Sequence, residues 1–459
     1  MRKIDLMQFK NSFKHYTELR QQELRSNMLY FNNGILLRNS QDSIIGANAR
    51  VFKNGAWGLS ANTDLTNVNM TDMIKKATAH AEFLAGKSGK EAFDLPTNIG
   101  VNNNLYTAKK TPMSIKEQIE FCKELDGYIA SKYPDLQARN VALQSATMEK
   151  NLITSDGAIS HYEIPRSFLI FVMTLMNGNE PVSLYDVVGG YGQVQDLFSK
   201  PEESFELIDK MYTHLRAKKE AVWAESGIHD VVMDAKLAGI LSHEAVGHTT
   251  EADIVLNGSV AGDLLEQKVA SELVTMVDAA HHYKGELLPQ PIFVDDEGTE
   301  AKDAVLIEKG ILKGFMHSRE TAKKFGVEPT GNARAYNFSD EPLVRMRNTM
   351  IVPGTSKLDD MIADVENGYY LISPSNGEAD STSEFMFGVT LGYEIKNSKL
   401  GKAIKDTTIS GVAFELLKTI TDLSDDLTWI SSGMCGKKQP MPVGMGGPAI
   451  SCKVMIGGK

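Results

Sequence analysis

"NMLYFNNGILLRNSQDSIIGANARVFKNGAWGLSANTD", Asn27 to Asp64, decides how the front of the chain folds. Its apolar runs are broken twice, by Asn32-Asn33-Gly34 and by Asn54-Gly55. Asn-Gly steps favour the left-handed backbone of tight hairpin turns. The spacing predicts three short strands joined as a meander.

Working outward, "TDMIKKATAHAEFLAG" reads as an amphipathic helix opened by Thr71 or Asp72 and closed before Gly86. "SIKEQIEFCKELDGYIASKY" begins with Ser114 and Glu117 at capping-box spacing, and it carries Ile115, Ile119, Phe121, Cys122 and Leu125 near one face. Cys122 is therefore read as a core residue. "MEKNLITSDGAISHYEI" has a hairpin signal at Asp156-Gly157, and "SFLIFVMTLMNG" reads as a buried strand. A helix is expected from about Pro201 to Trp223, with acids in its first turn and bases near its end. The boundary between two domains is placed just beyond it, giving an N-terminal domain over 1–224 and a C-terminal domain over 225–459.

The second half opens with a strand, "IHDVVMD", and a helix from about Ala235. From Gln290 onward, glycine-containing turns separate strand-like runs such as "YYLISPSNGEADSTSEFMFGVTLGYEIKNSKLGKAI". Only two short helical patterns interrupt them, near Leu358 to Glu366 and Gly411 to Ile420. The expected fold class is α+β: a mixed α/β N-terminal domain followed by a β-rich, curved-sheet or barrel-like C-terminal domain.

Composition narrows the function. At 459 residues, 42% hydrophobic and 23% charged, the chain has the make-up of an ordinary globular protein. A net charge of -11 and a pI near 5.5 argue against nucleic acid as a partner, because phosphate neutralisation needs surplus cations. No apolar run approaches the roughly 18 residues of a membrane span, and "MRKIDLMQFKNSFKHY" has charges where a signal peptide needs its apolar stretch. A cytoplasmic location is expected. Three scattered cysteines, Cys122, Cys435 and Cys452, do not make a disulfide framework and fit a reducing compartment.

Chemistry concentrates in "LSHEAVGHTTEAD", Leu241 to Asp253. Neutral imidazoles and thiolates are good zinc ligands, and a carboxylate beside zinc-bound water can take its proton. His243, His248 and Glu244 offer two ligands and a base, but in the order His-Glu-x-x-x-His. On a regular helix, residues five apart point about 140° away from each other. Either a π-type turn or unwinding before His248 repairs this, and Gly247 sits where both are easiest. A helix distorted or ended at Gly247 is predicted. A catalytic zinc also needs a third protein ligand. Glu251, Asp253 and the His281-His282 pair are near candidates; His317 and Cys435 are distant ones. Cys435 stands in "SSGMCGKKQPMPVGMGGP", an irregular glycine-rich segment, whereas Cys452 alternates like a packed strand residue.

"SHEAVGHTTEAD", "VDDEGTEAKDAVLIEKGILKGFMHSR", "GNARAYNFSDEPLVRMRNTMIVPG", "GEADSTSEFMFGVTLGYEIKNSKLGKAIKDTTISG" and "GMCGKKQPMPVGMGGPAISCKVMIGG" resemble, in that order, blocks of the TldD/PmbA family. Its members are often labelled modulators of DNA gyrase and understood as cytoplasmic metallopeptidases. The resemblance implies a zinc held by His243, His248 and Cys435, with Glu244 as general base. It also implies a homodimer, or a heterodimer with a related subunit, around an enclosed cleft. The presence of all four residues resembles the family's active subunits, although Asn332 in "TGNARA" stands where a histidine is expected. The function that follows is a zinc-dependent peptidase acting on unfolded or short peptides, which could pair with a sheet edge. The alternative is a non-catalytic regulatory or interaction protein with a structural zinc, linked to gyrase-inhibitor systems.

The remaining polar residues have plainer readings. His317, Arg334 and Tyr336 could donate to a tetrahedral oxyanion, with a structural role the stronger reading. "DDEG" at Asp295 to Gly298 reads as a charged turn ending a strand rather than a cation cluster. His281-His282 read as surface or lid residues. "GGYG" at Gly189 to Gly192 and "GMGGP" at Gly444 to Pro448 lack the order of a phosphate loop, and their glycines are read as permitting tight turns or close approach of a substrate backbone.

Overall fold

The structure, a computed structural model, describes residues 4–87 and 93–458. It is mixed α/β, with 25% helix and 42% strand. The first half contains β1 (Tyr16–Asn32), β2 (Ile35–Lys53), β3 (Ala56–Asn62), α1 (Asn67–Lys87), β4 (Val101–Asn104), α2 (Ile115–Lys132), β5 (Ala138–Thr154), β6 (Ile159–Asn177), β7 (Glu180–Tyr191) and α3 (Phe205–Lys219). Its seven strands form one sheet in the order β3-β2-β1-β5-β6-β4, with β7 on the remaining length of β6. The meander is present as expected. Both of its turns have two successive left-handed residues, Asn33 and Gly34 at φ 46° and 80°, Asn54 and Gly55 at 47° and 78°. That is the type I′ geometry which matches the twist of paired strands.

Alternation along these strands makes the sheet a divider. Leu29 and Phe31 of β1, Val141 and Leu143 of β5, and Leu169 and Phe171 of β6 pack against α2 and α3. Leu19 packs with α1 through Met70, Met73 and Ala77. The intervening residues, among them Arg20, Gln22, Lys150 and Arg166, reach segments of the second half.

That half contains β8 (Gly227–Met233), α4 (Ala235–Leu241), β9 (Met276–Ala279), β10 (Ala304–Glu308), α5 (Arg319–Phe325), β11 (Asn348–Ile351), α6 (Leu358–Asp364), β12 (Asn367–Ala379), β13 (Glu384–Lys396), β14 (Thr407–Val412), α7 (Ala413–Lys418), β15 (Gly444–Gly447) and β16 (Ile450–Gly457). Strands β12, β8, β16, β14 and β13 close into a five-stranded barrel in which only β8 and β12 run parallel. A six-stranded sheet carrying β10, β9, β11 and β15 lies beside it.

Four local readings change. Helix α1 begins at Asn67 and runs through Gly86, because Thr66, not Thr71, accepts from the first turn. The helix expected over Pro201 to Trp223 is a 3-10 turn followed by α3, and Val222 has already joined a bridge to Ile404. Helix α5 was not expected; its seven residues are too few for a periodic pattern, and only its Ser318/Thr321 capping box marks it. The Asp295-Gly298 turn is a turn, but a buried one that ties the halves together. Glu297 pairs with Arg50 at 2.8 Å and Asp296 with Lys150 at 2.7 Å.

Candidate metal centre

The site begins where β8 leaves the barrel. Asp234 caps α4 by accepting from the Leu237 amide at 2.8 Å. The small residues of α4 lie against glycine strand β15, where a Cβ on Gly239 would stand 3.0 Å from the Met445 carbonyl oxygen. Gly239 of the helix thus permits this close approach, whereas Gly444 and Gly446 of "GMGGP" are crowded from elsewhere, by Asn348 Oδ1 at 2.7 Å and by the Trp429 ring at 2.6 Å.

After Leu241 the helix widens. Ser242 to Gly247 form a π turn in which the His248 amide donates to the His243 carbonyl, and a 3-10 turn over His248–Thr250 follows. The distortion is the predicted one, and it brings residues five apart onto one side. Gly247 contributes differently from the expectation. Its φ of -55° is ordinary right-handed backbone, open to any residue. A Cβ there would instead lie 2.1 Å from Met346 Sδ, so packing is what excludes a side chain.

Cys435 arrives from the far end of the chain in a two-residue pairing of Met434–Cys435 with Met441–Pro442. Arg345, fully buried, holds this segment by donating to the carbonyls of Cys435, Lys437 and Gln439, each at 2.9 Å. One donor atom from each of His243, His248 and Cys435 falls within 4.8 Å of the others. Cys435 Sγ is 3.2 Å from His248 Nε2. The two imidazole rings stand 5.2 Å apart at 78°.

His243 is 0% exposed, and neither of its ring nitrogens has a hydrogen-bond partner. Leaving such an atom bare costs roughly 1–3 kcal/mol, so this residue fits a cation ligand much better than an ordinary core histidine. Burial alone would raise the Cys435 pKa, but His243 and His248 bring it down to about 4. Burial likewise opposes charge on His248, yet Glu251 and then Cys435 raise its pKa. The cluster thus concentrates negative potential where a positive charge must sit.

The near candidates for a third ligand are elsewhere. Buried Glu251 accepts from His248 Nδ1 at 3.0 Å, behind the ring, which leaves Nε2 facing Cys435. Asp253 is engaged at 2.8 Å by Lys437, which also reaches Glu251 at 3.1 Å. Glu244 lies on the open side, 21% exposed, with Oε2 3.5 Å from His248 Nε2.

The other sequence candidates fall outside this cluster. His317 sits at 3.3 Å from Thr321 Oγ1 and against Phe325, with its pKa lowered to about 4 by burial. Arg334 donates to the carbonyls of Met346 and Pro442. Tyr336 binds Gln439 through its backbone amide. Asn332 is buried and donates to Asp278 at 2.7 Å, inside the network of the Asp278–Arg347 pair. His281 and His282 contact each other and Phe293. Arg345 and Lys437 were missed; Lys437 is signalled only by its place two residues after Cys435, and Arg345 by nothing local.

Comparison with known proteins identifies the family. The PmbA/TldA metallopeptidase C-terminal domain matches residues 226–458, and domain 1 of the same family matches residues 17–81. A metalloprotease of Archaeoglobus fulgidus is 33% identical over 96% of this chain and 99% of its own. The zinc metalloprotease TldD homolog of Saccharolobus solfataricus is 28% identical over 90% of each chain. The crystal structure of TldE from Thermococcus kodakarensis shares the fold, with a TM-score of 0.76 at 17% identity over 98% of this chain and 99% of that one. The matched domains and relatives place the chain in a family of metallopeptidases. It belongs to the PmbA/TldA metallopeptidase family, the one its sequence blocks resemble.

Among the described residues, no helix is long and apolar enough to cross a membrane.

Proposed function

We propose that the chain is a zinc-dependent peptidase in which His243, His248 and Cys435 hold the metal and Glu244 is the general base. The observation that carries this reading is His243, sealed from solvent with two unpartnered nitrogens beside a thiol and a second imidazole. Two imidazoles and a thiolate are a borderline-soft donor set that suits zinc. Three such residues, rather than four, gather among the described residues, which leaves one position for substrate and favours catalysis over a structural site. Bound zinc would supply Lewis acidity, which acidifies water and polarises a peptide carbonyl.

The chain's own groups do the rest. Glu244 takes the proton of the attacking water and returns it to the leaving amine. Glu251 fixes His248 in the tautomer that presents Nε2, and Lys437 and Arg345 hold the Cys435 segment in place. Substrates are unfolded or short peptides, which an exposed strand edge can pair through their backbone. We further place the protein in the cytoplasm, divide it into two domains near residue 224, and assign it a homodimer or a heterodimer with a related subunit.

The test is Glu244→Gln, with zinc content and cleavage of an unstructured peptide measured on the same sample. Zinc should remain while cleavage falls by about 100-fold to 10,000-fold. Undiminished cleavage would remove Glu244 from the mechanism.

A further inference from the structure

Beside Cys435, a cavity of about 390 Å³ lies between the sheet face opposite α2 and α3 and the Ser432–Pro442 segment. Much of its wall is apolar, from Met148, Ile164, Phe168, Ile292, Met434 and Met441. Two arginines, Arg166 and Arg334, also line it, and they are only 8% and 5% exposed. Their partners are neutral. Arg166 Nη2 donates to the Ser431 carbonyl at 2.7 Å, Arg334 Nη2 to the Pro442 carbonyl at 2.9 Å, and Arg166 Nε donates to nothing. Of the other buried arginines, Arg345 is satisfied by three carbonyls, whereas Arg20, Arg50, Arg319 and Arg347 each face a carboxylate at ion-pair distance. Among the described residues, neither Arg166 nor Arg334 has such a partner.

The acids on the wall are engaged elsewhere, although Asp296 also acts on Arg334 from beyond ion-pair distance. Asp296 is held by Lys150 at 2.7 Å and by Arg20 at 3.6 Å. Asp295 accepts from the amides of Glu297, Thr299 and Ala333, and burial, with Glu297 beside it, raises its pKa to about 8. Burial and the neighbouring Arg334 lower the Arg166 pKa to about 10. A buried cation without a counter-charge is destabilising, and an incoming anion offsets part of that cost. Guanidinium groups suit carboxylates in particular.

We propose that this cavity binds a peptide carboxylate together with the apolar side chain next to it, with Arg166 and Arg334 receiving the carboxylate. The proposal rests on the peptidase reading, since Met434 on the cavity wall adjoins Cys435 and a peptide seated here would lead toward the metal ligands. The carboxylate is either the free C-terminus or an acidic side chain. A volume of about 390 Å³ lies within the range of pockets that enclose small ligands, so it accommodates the end of a chain and not a folded segment.

The experiment uses full-length, zinc-loaded Glu244→Gln protein and three fluorescent peptides of one apolar sequence: a free acid, its C-terminal amide, and the amide carrying one internal glutamate. Anisotropy should show one or both carboxylate peptides binding about tenfold or more tightly than the plain amide, and which of them does so names the source. Arg166→Met should abolish the difference and Arg166→Lys should keep part of it. Equal affinity for all three peptides overturns the proposal, as does an undiminished preference in Arg166→Met. Wild-type cleavage is read separately: a carboxylate preference without cleavage retires the peptidase reading and leaves the cavity assignment standing, and cleavage without preference does the reverse.

Discussion

The chain contains two histidine pairs whose rings are arranged almost alike. His243 and His248 stand 5.2 Å apart at 78°, His281 and His282 5.0 Å apart at 75°. Their surroundings differ. The first pair has a thiol at 3.2 Å and a buried carboxylate behind one ring, and the pKa of His248 is raised. In the second pair His281 stacks on Phe293 and the exposed His282 meets the same ring edge-on, the two Nδ1 atoms spend themselves on each other at 2.8 Å, and the pKa of His281 is lowered by burial and then by His282. Ring spacing therefore does not make a metal site. What sets the candidate site apart is the thiol and the buried carboxylate beside its rings.

Replacement breaks the contrast most directly. Ala at His243, His248 or Cys435 should abolish stoichiometric zinc and with it peptide cleavage, while Ala at both His281 and His282 should leave zinc content unchanged. Metal analysis of purified protein checks both arms, and equal losses would end the distinction. A smaller effect is expected behind the ring. Glu251→Gln keeps the shape but removes the negative charge that faces His248 Nδ1, and zinc affinity in a competitive chelator titration should fall by roughly 10-fold to 100-fold. The smallest effect concerns the π turn. Gly247→Ala drives a Cβ into Met346 Sδ and should cost about 1–3 kcal/mol in urea unfolding. Pairing it with Met346→Val should recover part of that loss; no recovery would mean that the backbone, and not packing, demands glycine.

Much of this site was legible from residue order. The five-residue histidine spacing requires a distorted helix, and the π turn supplies it. Asn33-Gly34 and Asn54-Gly55 specify their hairpins because the left-handed preference is local. The Ser114 capping box likewise closes within one turn. What escaped was whatever depends on burial. The Asp295-Gly298 turn has the composition of a solvated loop and becomes an ionic joint only when Arg50 and Lys150 of the sheet close over it. Arg166 looks like one arginine in a strand, and its lack of a counter-charge exists only once the second half covers that face.

By itself, then, the sequence determined the two Asn-Gly turns, the Ser114 cap, the irregular helix and the inventory of donors, because each rests on residue order or on backbone preferences among near neighbours. Only the tertiary structure decided which donors meet. Cys435 reaches His248 across 187 residues of chain, and His243 is left bare while Glu251 is turned to the back of the ring. Those outcomes depend on the desolvation and pairing of groups far apart along the chain, which no local pattern encodes.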